Sequence, residues 1–111
     1  MNLQNKLYEL IENWESETVE FKEANDNFST SVIGQYFSAL SNEANLKKVD
    51  SGWLIFGVRN ADHVIIGTDY RNDEVRLQNI KHQMTQITHG YSFVNVNAFE
   101  IEGKRVVMKV F

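Results

Sequence analysis

Apolar residues near the start of the chain recur at helical spacing. They follow one another at intervals of 4, 3, 1 and 3 positions: Leu3, Leu7, Leu10, Ile11 and Trp14. This spacing predicts an amphipathic helix over residues 2–14. The next segment, TVEFK at residues 18–22, alternates instead, with Val19 and Phe21 on one side and polar residues on the other. A period of two predicts a short strand whose outer face is charged.

A second helix and a buried strand are predicted in the middle of the chain. The polar stretch EANDNFSTS offers Ser29 or Ser31 as an N-cap for this helix. The apolar side of the helix comprises Val32, Ile33, Tyr36, Phe37 and Leu40. SNEANLKKVDS is then expected to be a polar connection. The run GWLIFGV does not alternate, which predicts a strand buried on both faces.

The second half of the chain predicts a turn, a strand, a helix and a hairpin. RNAD suits a tight turn that leads into a further strand at HVIIG. A third helix is expected from near Asn72 to Gly90, a residue suited to a helix end. Glu102-Gly103 suits the turn of a closing hairpin between SFVNVNAFEI and KRVVMKVF. The predicted order is α-β-α-β-β-α-β-β, an α+β domain with helices packed on a mostly antiparallel sheet.

Composition favours one folded domain over residues 1–111. The chain has 111 residues and is 42% hydrophobic, which is enough material for a core. It has no Cys, which excludes a disulfide framework and a thiolate zinc site.

No apolar run reaches the roughly 20 residues of a membrane helix, and no secretory pattern is visible, so the cytoplasm is expected. The absence of proline and the ending inside VVMKVF predict an N-terminal fragment of a longer protein with further C-terminal domains.

The charge pattern limits how this chain could contact nucleic acid. A net charge of -4 argues against coating of nucleic acid by clustered Lys and Arg, but a local basic patch stays open. The candidates for such a patch, if the fold gathers them, are Lys22, Lys47, Lys48, Arg59 and Arg71. A histidine metal site is not expected, because His82 and His89 are seven positions apart on a helix, too far to share one ion.

Glu15, Glu20 and Lys22 form the one group of residues that suggests catalysis. Phosphodiester cleavage commonly uses two or three carboxylates that hold a divalent cation, with a lysine near the developing charge. Glu20 and Lys22 are two apart on a strand and project from the same face. The alternative is that they form the polar edge of a half-exposed strand. Phosphate-binding glycine loops and nucleophilic serine motifs are absent from the sequence.

Taken together, VEFKEA, ALSNEANLK and GWLIFGVRNADHVIIGTDYR resemble the divergent Alba-like domain, a module shared by Schlafen proteins and many bacterial transcriptional regulators. The positions that carry the resemblance are Glu15, Glu20, Phe21, Lys22, Asn42, Gly52, Gly57, Val58, Ile65 and Gly67. GKRVVMKVF is similar to the closing strand of that module. The resemblance implies nucleic-acid association, as the DNA-binding module of a regulator, and leaves DNA or RNA open.

The resemblance also implies a site of three carboxylates in the Schlafen branch, where it supports ribonuclease activity. Glu15 and Glu20 match the first two acids, but Arg59 and Asn60 stand where the third is expected, with Asp62 slightly later. The leading hypothesis is therefore a non-enzymatic nucleic-acid-binding module without a cofactor. A nuclease that uses Glu15, Glu20 and Asp62 with Mg²⁺ or Mn²⁺ is the first alternative. An interaction domain that forms a homodimer through a sheet edge or the first helix is the second.

Overall fold

The structure, a computed structural model, describes residues 2–49, 51–88, 90–91, 93 and 95–110. Its elements in chain order are α1 (Leu3–Glu12), a 3-10 turn (Trp14–Ser16), β1 (Thr18–Lys22), α2 (Thr30–Lys47), β2 (Gly52–Phe56), α3 (Glu74–Ile87), β3 (Asn95–Ile101) and β4 (Lys104–Val110). Within these ranges, no helix combines the length and the hydrophobicity that a bilayer crossing requires. The α+β class predicted from the sequence is confirmed.

The four strands form one mixed sheet in the order β1-β2-β4-β3. β1 pairs in parallel with β2, with Thr18 opposite Gly52 and Lys22 opposite Phe56. β4 is antiparallel to both of its neighbours. The sheet is therefore not purely antiparallel. The parallel pair arises because α2 carries the chain from the end of β1 back to the start of β2, the crossover that parallel neighbours require.

Helices cover both faces of the sheet, and β2 contributes side chains to each face. Leu54 and Phe56 join a core cluster with the inner sides of α2 and α3. Trp53 and Ile55 join a second cluster on the opposite face, where α1 packs. All five residues of β2 are buried, as the uninterrupted apolar run predicts.

The strand predicted at HVIIG is wrong, because only one isolated bridge, between Val58 and Ile65, forms in this region. Gly57 ends the extended backbone of β2 with a φ of 105°. The amides of Ile66 and Gly67 then both donate to the one carbonyl of Gly57, at 2.8 and 2.9 Å. This bulge-like arrangement stops regular pairing. The observed order of helices and strands is α-β-α-β-α-β-β.

Two predicted helix boundaries also shift. SNEANLKKVDS is not a loop for most of its length, since α2 continues to Lys47 and buries Ala44. Lys48 ends the helix in a left-handed conformation with a φ of 57°. The N-cap at Ser29 is confirmed, because its hydroxyl accepts the amide of Val32. α3 begins at Glu74 rather than near Asn72, with Asp73 as its N-cap.

The closing hairpin is confirmed at the predicted turn. Glu102 and Gly103 both have positive φ angles, 54° and 72°. Two positive φ values in a two-residue loop match the twist of the flanking strands. The turn sets the register in which Ile101 lies opposite Lys104.

Candidate nucleic-acid interface

The carboxyl ends of β1 and β2 lie at the same edge of the sheet because these strands are parallel. The amide of Gly57 donates to the carbonyl of Lys22 at 3.0 Å and joins the two strand ends. The loops that follow the two strands meet where the Thr68 hydroxyl donates to the carbonyl of Ala24 at 2.5 Å. We call the surface formed by residues 22–30 and 57–76 the carboxyl edge.

Lys22 lies on this edge, in contact with a strand neighbour and with α2. Its Nζ is 3.6 Å from Oε1 of Glu20 and 5.1 Å from the ring centroid of Tyr36. The pKa of Lys22 is raised, mainly by its interaction with Tyr36 and to a smaller extent by Glu20, while partial burial lowers it. The prediction that Glu20 and Lys22 share one face is therefore confirmed, and the two side chains form an ion pair.

Arg59 and Asp62 form a second ion pair in the turn after β2. Nε and Nη2 of Arg59 donate to Oδ1 and Oδ2 of Asp62, each at 3.0 Å. The amide of Val64 also donates to this carboxylate. The pKa of Asp62 is lowered, first by the hydrogen bond from Arg59 and then by the amide of Val64. The carboxylate of Asp62 is therefore occupied by hydrogen bonds from Arg59 and from the main chain of its own turn.

The predicted acids do not come together as a metal site. Glu15 lies in the 3-10 turn and is exposed. Glu20 is paired with Lys22, and Asp62 is paired with Arg59. Across the part of the chain that the structure describes, no group of three or more His, Asp or Glu side chains could hold a metal ion. His89, considered above with His82, lies outside the described residues.

The indole of Trp14 is 45% exposed beside the turn that holds Arg59. It packs edge-on against the ring of His63 with centroids 5.1 Å apart, and His63 also contacts Phe21 at 4.7 Å. The sequence placed Trp14 on the buried stripe of the first helix. This placement is wrong because α1 ends at Glu12 and the 3-10 turn rotates Trp14 outward.

A polar cleft of about 270 Å³ opens on the carboxyl edge, between the start of α2, the loop after β1 and α3. Its lining residues are Asp26, Asn27, Phe28, Thr30, Arg71, Arg76, Asn79 and Gln83. We call it the arginine cleft. Arg71 was predicted from the sequence as a nucleic-acid contact, but the other residues of the cleft were not. Asp26 and Arg76 are fifty positions apart, and no local sequence pattern connects them.

Arg71 is held in the arginine cleft by neutral oxygens. Its Nη1 donates to the carbonyl of Arg76 at 2.8 Å. Its Nη2 donates to the hydroxyl of Thr30 at 3.3 Å and to Oε1 of Gln83 at 2.5 Å. A guanidinium carries five N–H donors, so two of them, on Nε and Nη1, have no acceptor within the described chain. Among the described residues, no carboxylate forms a hydrogen bond with the Arg71 guanidinium.

Arg76 and Asp26 complete the charged part of the cleft. Nη2 of Arg76 is 2.8 and 2.9 Å from the two oxygens of the Asp26 carboxylate. The main-chain amide of Arg71 donates to the same carboxylate at 2.8 Å. These bonds lower the pKa of Asp26, the Arg76 side chain having the larger effect and the Arg71 amide the next. Asp26 therefore stays ionised and orients both arginines.

Arg105 stabilises the loop that carries Arg71. It was not among the residues predicted from the sequence to form the site. It donates to the carbonyls of Thr68, Tyr70 and Arg71, at 3.3, 2.7 and 3.0 Å. Burial lowers the pKa of Arg105. By holding three carbonyls of one loop, it fixes the main chain from which the Arg71 side chain projects. The sequence shows only a basic residue after a hairpin turn, which carries no signal for this role.

Lys47 and Lys48 lie away from the carboxyl edge. α2 starts on that edge, where Thr30 contacts Arg71, and ends just before β2 begins. Eighteen helical residues span about 27 Å, which places Lys47 and Lys48 at the opposite end of the sheet. Lys47 forms an ion pair with Glu43, with Nζ 3.3 Å from Oε1. The structure therefore gathers Lys22, Arg59 and Arg71 on one edge, but not the other two predicted cations.

The crossover β1-α2-β2, the mixed sheet covered on both faces and the polar carboxyl edge define an Alba-like α+β domain. The sequence matches the Schlafen AlbA_2 family over residues 15–110, and the chain belongs to that family. No match is found among curated proteins. Among solved structures, the chain is similar to the N-terminal domain of a RecG-related protein from Nitrosomonas europaea, determined by solution NMR. The identity is 19% and the TM-score 0.49, over 95% of this chain and 69% of the other.

Proposed function

We propose that this domain binds nucleic acid through its carboxyl edge and acts as a positioning module of a regulator. The observation that supports the proposal is the gathering of Lys22, Arg59 and Arg71 on one edge of the sheet. Cations in such an arrangement contact phosphate oxygens, which fix the register of a protein on a strand without reading its sequence. The family resemblance supports the same class of ligand.

The three cations differ in how freely they could meet a phosphate. Lys22 and Arg59 each have a carboxylate partner, Glu20 and Asp62 respectively. Arg71 donates only to neutral oxygens. Arg71 is therefore the principal contact in this proposal, and Lys22 and Arg59 are secondary contacts that must exchange a carboxylate for a phosphate. With a net charge of -4, binding away from this edge is disfavoured.

The proposal is binding without cleavage. A metal-dependent nuclease needs several carboxylates free to hold a cation. Here Asp62, the candidate third acid, is paired in two-pronged fashion with Arg59. This pairing favours binding over cleavage, and a cleavage control accompanies the test.

The test is a fluorescence-anisotropy titration with labelled single-stranded RNA, single-stranded DNA and duplex DNA. Each is titrated over a range of salt concentrations, with and without Mn²⁺, and each strand is examined on a gel afterwards. We expect binding that weakens steeply with salt, because phosphate contacts release counterions. The strands are expected to stay intact.

Two double variants with the same change of net charge locate the binding surface. Arg59→Gln with Arg71→Gln removes two cations of the carboxyl edge, and it should reduce the salt slope by roughly 1.4 to 1.8. Lys47→Gln with Lys48→Asn removes two cations at the opposite end, and it should leave the slope unchanged; Asn tolerates the left-handed conformation of Lys48. Equal losses would overturn the assignment of this surface. Metal-dependent shortening of a strand would favour the nuclease, and dimerisation without binding would favour an interaction domain.

A further inference from the structure

We propose that the arginine cleft binds a single phosphate group as a phosphodiester monoanion. The ligand class rests on the proposed function, whereas the site itself rests on the geometry of Arg71, Arg76 and Asp26. The inference names one subsite within the carboxyl edge. It also gives Asp26 a role as the internal competitor of the phosphate.

The side chain of Arg71 is held in place before any ligand arrives. Its main chain is in the left-handed region, with a φ of 41°, which is uncommon for a residue other than glycine. The amide is held by Asp26 and the carbonyl by Arg105. Three further bonds fix the guanidinium itself. Because the side chain has little freedom left to lose, a phosphate that accepts one of its two remaining N–H groups costs less entropy on binding.

The charges in the cleft fit a monoanion. Arg71 and Arg76 contribute two positive charges and Asp26 one negative charge, which leaves a net charge of +1 in the lining. Outside the lining, Oδ2 of Asp73 is 3.9 Å from Nε of Arg76, and this carboxylate weakens the field. A phosphodiester carries one negative charge and balances the lining.

The surroundings of the two arginines supply further favourable groups. Thr30 is the first residue of α2, an 18-residue helix whose N-terminus carries partial positive charge and points toward the cleft. Amide side chains of Asn27, Asn79 and Gln83 also line the cleft and can donate to phosphate oxygens. Asp26 shows that anionic oxygens are accommodated here, because its carboxylate takes bonds from both Arg76 and the Arg71 amide.

The experiment uses dimethyl phosphate, a monoanion with neither base nor sugar. It is titrated into the ¹⁵N-labelled domain at constant ionic strength, with sodium chloride as the reference titration, and amide resonances are followed. We expect saturable shifts at the amides of residues 26–32 and 71–76, which chloride does not reproduce. Arg71→Lys should weaken the binding about tenfold, because it replaces a planar guanidinium, held in place by three hydrogen bonds, by a flexible ammonium group.

Asp26→Asn is the sharper variant because it keeps both arginines and an acceptor for the Arg71 amide. It should strengthen the binding of dimethyl phosphate roughly threefold to fivefold, the range expected when an exposed ion pair no longer competes. The control is Asp73→Asn, which removes the same charge just outside the lining and keeps a residue suited to the N-cap. It should have a smaller effect.

The outcomes separate this subsite from the proposed function. Absence of saturable shifts in the cleft, with oligonucleotides still bound, would overturn the subsite and leave nucleic-acid binding standing. Saturable shifts without oligonucleotide binding would support the phosphate subsite and overturn the proposed function. If Asp26→Asn weakened the binding, Asp26 would be a supporting residue rather than a competitor, and the proposed arrangement would be wrong.

Discussion

The side-chain nitrogen of Lys109 lies 3.2 Å from the centroid of the Phe56 ring, inside the core between the sheet and helices α2 and α3. Lys109 is fully buried, and its Nζ has no hydrogen-bond partner among the residues that the structure describes. Tyr70 contributes a second ring at 4.9 Å. Burial holds the pKa of Lys109 well below its usual range, and the charges of Arg71 and Arg105 lower it further. Lys109 is thus a buried amine without compensation by a carboxylate.

Replacing Lys109 by methionine should stabilise the domain. Methionine fills a similar volume and removes a buried donor that lacks an acceptor, a group that costs about 1–3 kcal/mol. We expect Lys109→Met to raise the free energy of unfolding by at least this much at neutral pH, where the cost of deprotonating the buried amine adds to it; urea denaturation with an unchanged m-value measures the gain. The control is Lys104→Met on the same strand, where the side chain is exposed and the change should stay within about 0.5 kcal/mol. A loss of stability in Lys109→Met would mean that the amine has a favourable role in the core.

The buried amine of Lys109 should also make stability depend on pH in one direction. Its pKa is lower in the folded state than in the unfolded state, where it is near 10.5. Between these values the unfolded chain binds more protons, so the free energy of unfolding rises with pH. The folded state has its full stability above pH 10.5, where Lys109 is neutral in both states. As the pH falls toward the folded pKa, the free energy of unfolding decreases by up to about 1.4 kcal/mol per pH unit.

Unfolding curves of the natural chain and Lys109→Met between pH 7 and 10 check this dependence. The advantage of the methionine variant should shrink as pH rises, since other titrating groups contribute equally to both proteins. Parallel stability curves across this range would mean that Lys109 titrates normally.

Removal of the Arg105 guanidinium should loosen the loop that carries Arg71. Arg105 donates to three carbonyls of that loop, and each would lose its partner in a partly buried place. We expect Arg105→Gln to destabilise the domain by roughly 1–3 kcal/mol. Amide hydrogen exchange in residues 68–71 should accelerate more than in β2, which lies deep in the core. The exposed neighbour Lys104→Gln serves as the control, and equal acceleration throughout the sheet would contradict a local role.

Local patterns predicted the elements whose boundaries depend on local chemistry. The alternation of TVEFK gave β1 its observed limits, and Ser29 and the Glu102-Gly103 pair marked a cap and a turn correctly. HVIIG looked like a strand because its apolar content is high, but the bulge at Gly57 depends on contacts with a distant strand. Polar composition likewise suggested a loop at SNEANLKKVDS. The helix α2 instead continues to Lys47, because Ala44 is buried against the rest of the domain.

The candidate site was less predictable because distant segments build it. Lys22 and Arg71 were proposed individually from the sequence, yet the cleft requires the loop after β1 to meet α3. The ion pair between Asp26 and Arg76 joins these two segments. Lys47 and Lys48 had the same basic character, but the length of α2 places them at the other end of the sheet. Charge is visible in a sequence, whereas the position of that charge depends on the fold.

Gly57 allows the close approach that forms the carboxyl edge, and its replacement separates two physical effects. A Cβ at this position would lie 3.0 Å from the carbonyl oxygen of Arg105 and 3.3 Å from the carbonyl carbon of Gly67. Its φ of 105° is also strained for any residue with a side chain. Gly57→Ala should therefore destabilise the domain by more than the roughly 1–3 kcal/mol that backbone strain alone costs.

Gly90→Ala is the matched control for Gly57→Ala. Gly90 has a similar φ of 114°, but a Cβ there meets no atom of the described residues within 4 Å. Its loss of stability, measured by urea denaturation, should reflect backbone strain alone. The excess loss in Gly57→Ala then measures the steric conflict with β4, and it should be accompanied by faster exchange of the Thr68 amide, which bonds to the same Arg105 carbonyl. Equal losses in the two variants would mean that the chain relaxes around the new methyl group, and that close packing at Gly57 is not what holds the carboxyl edge together.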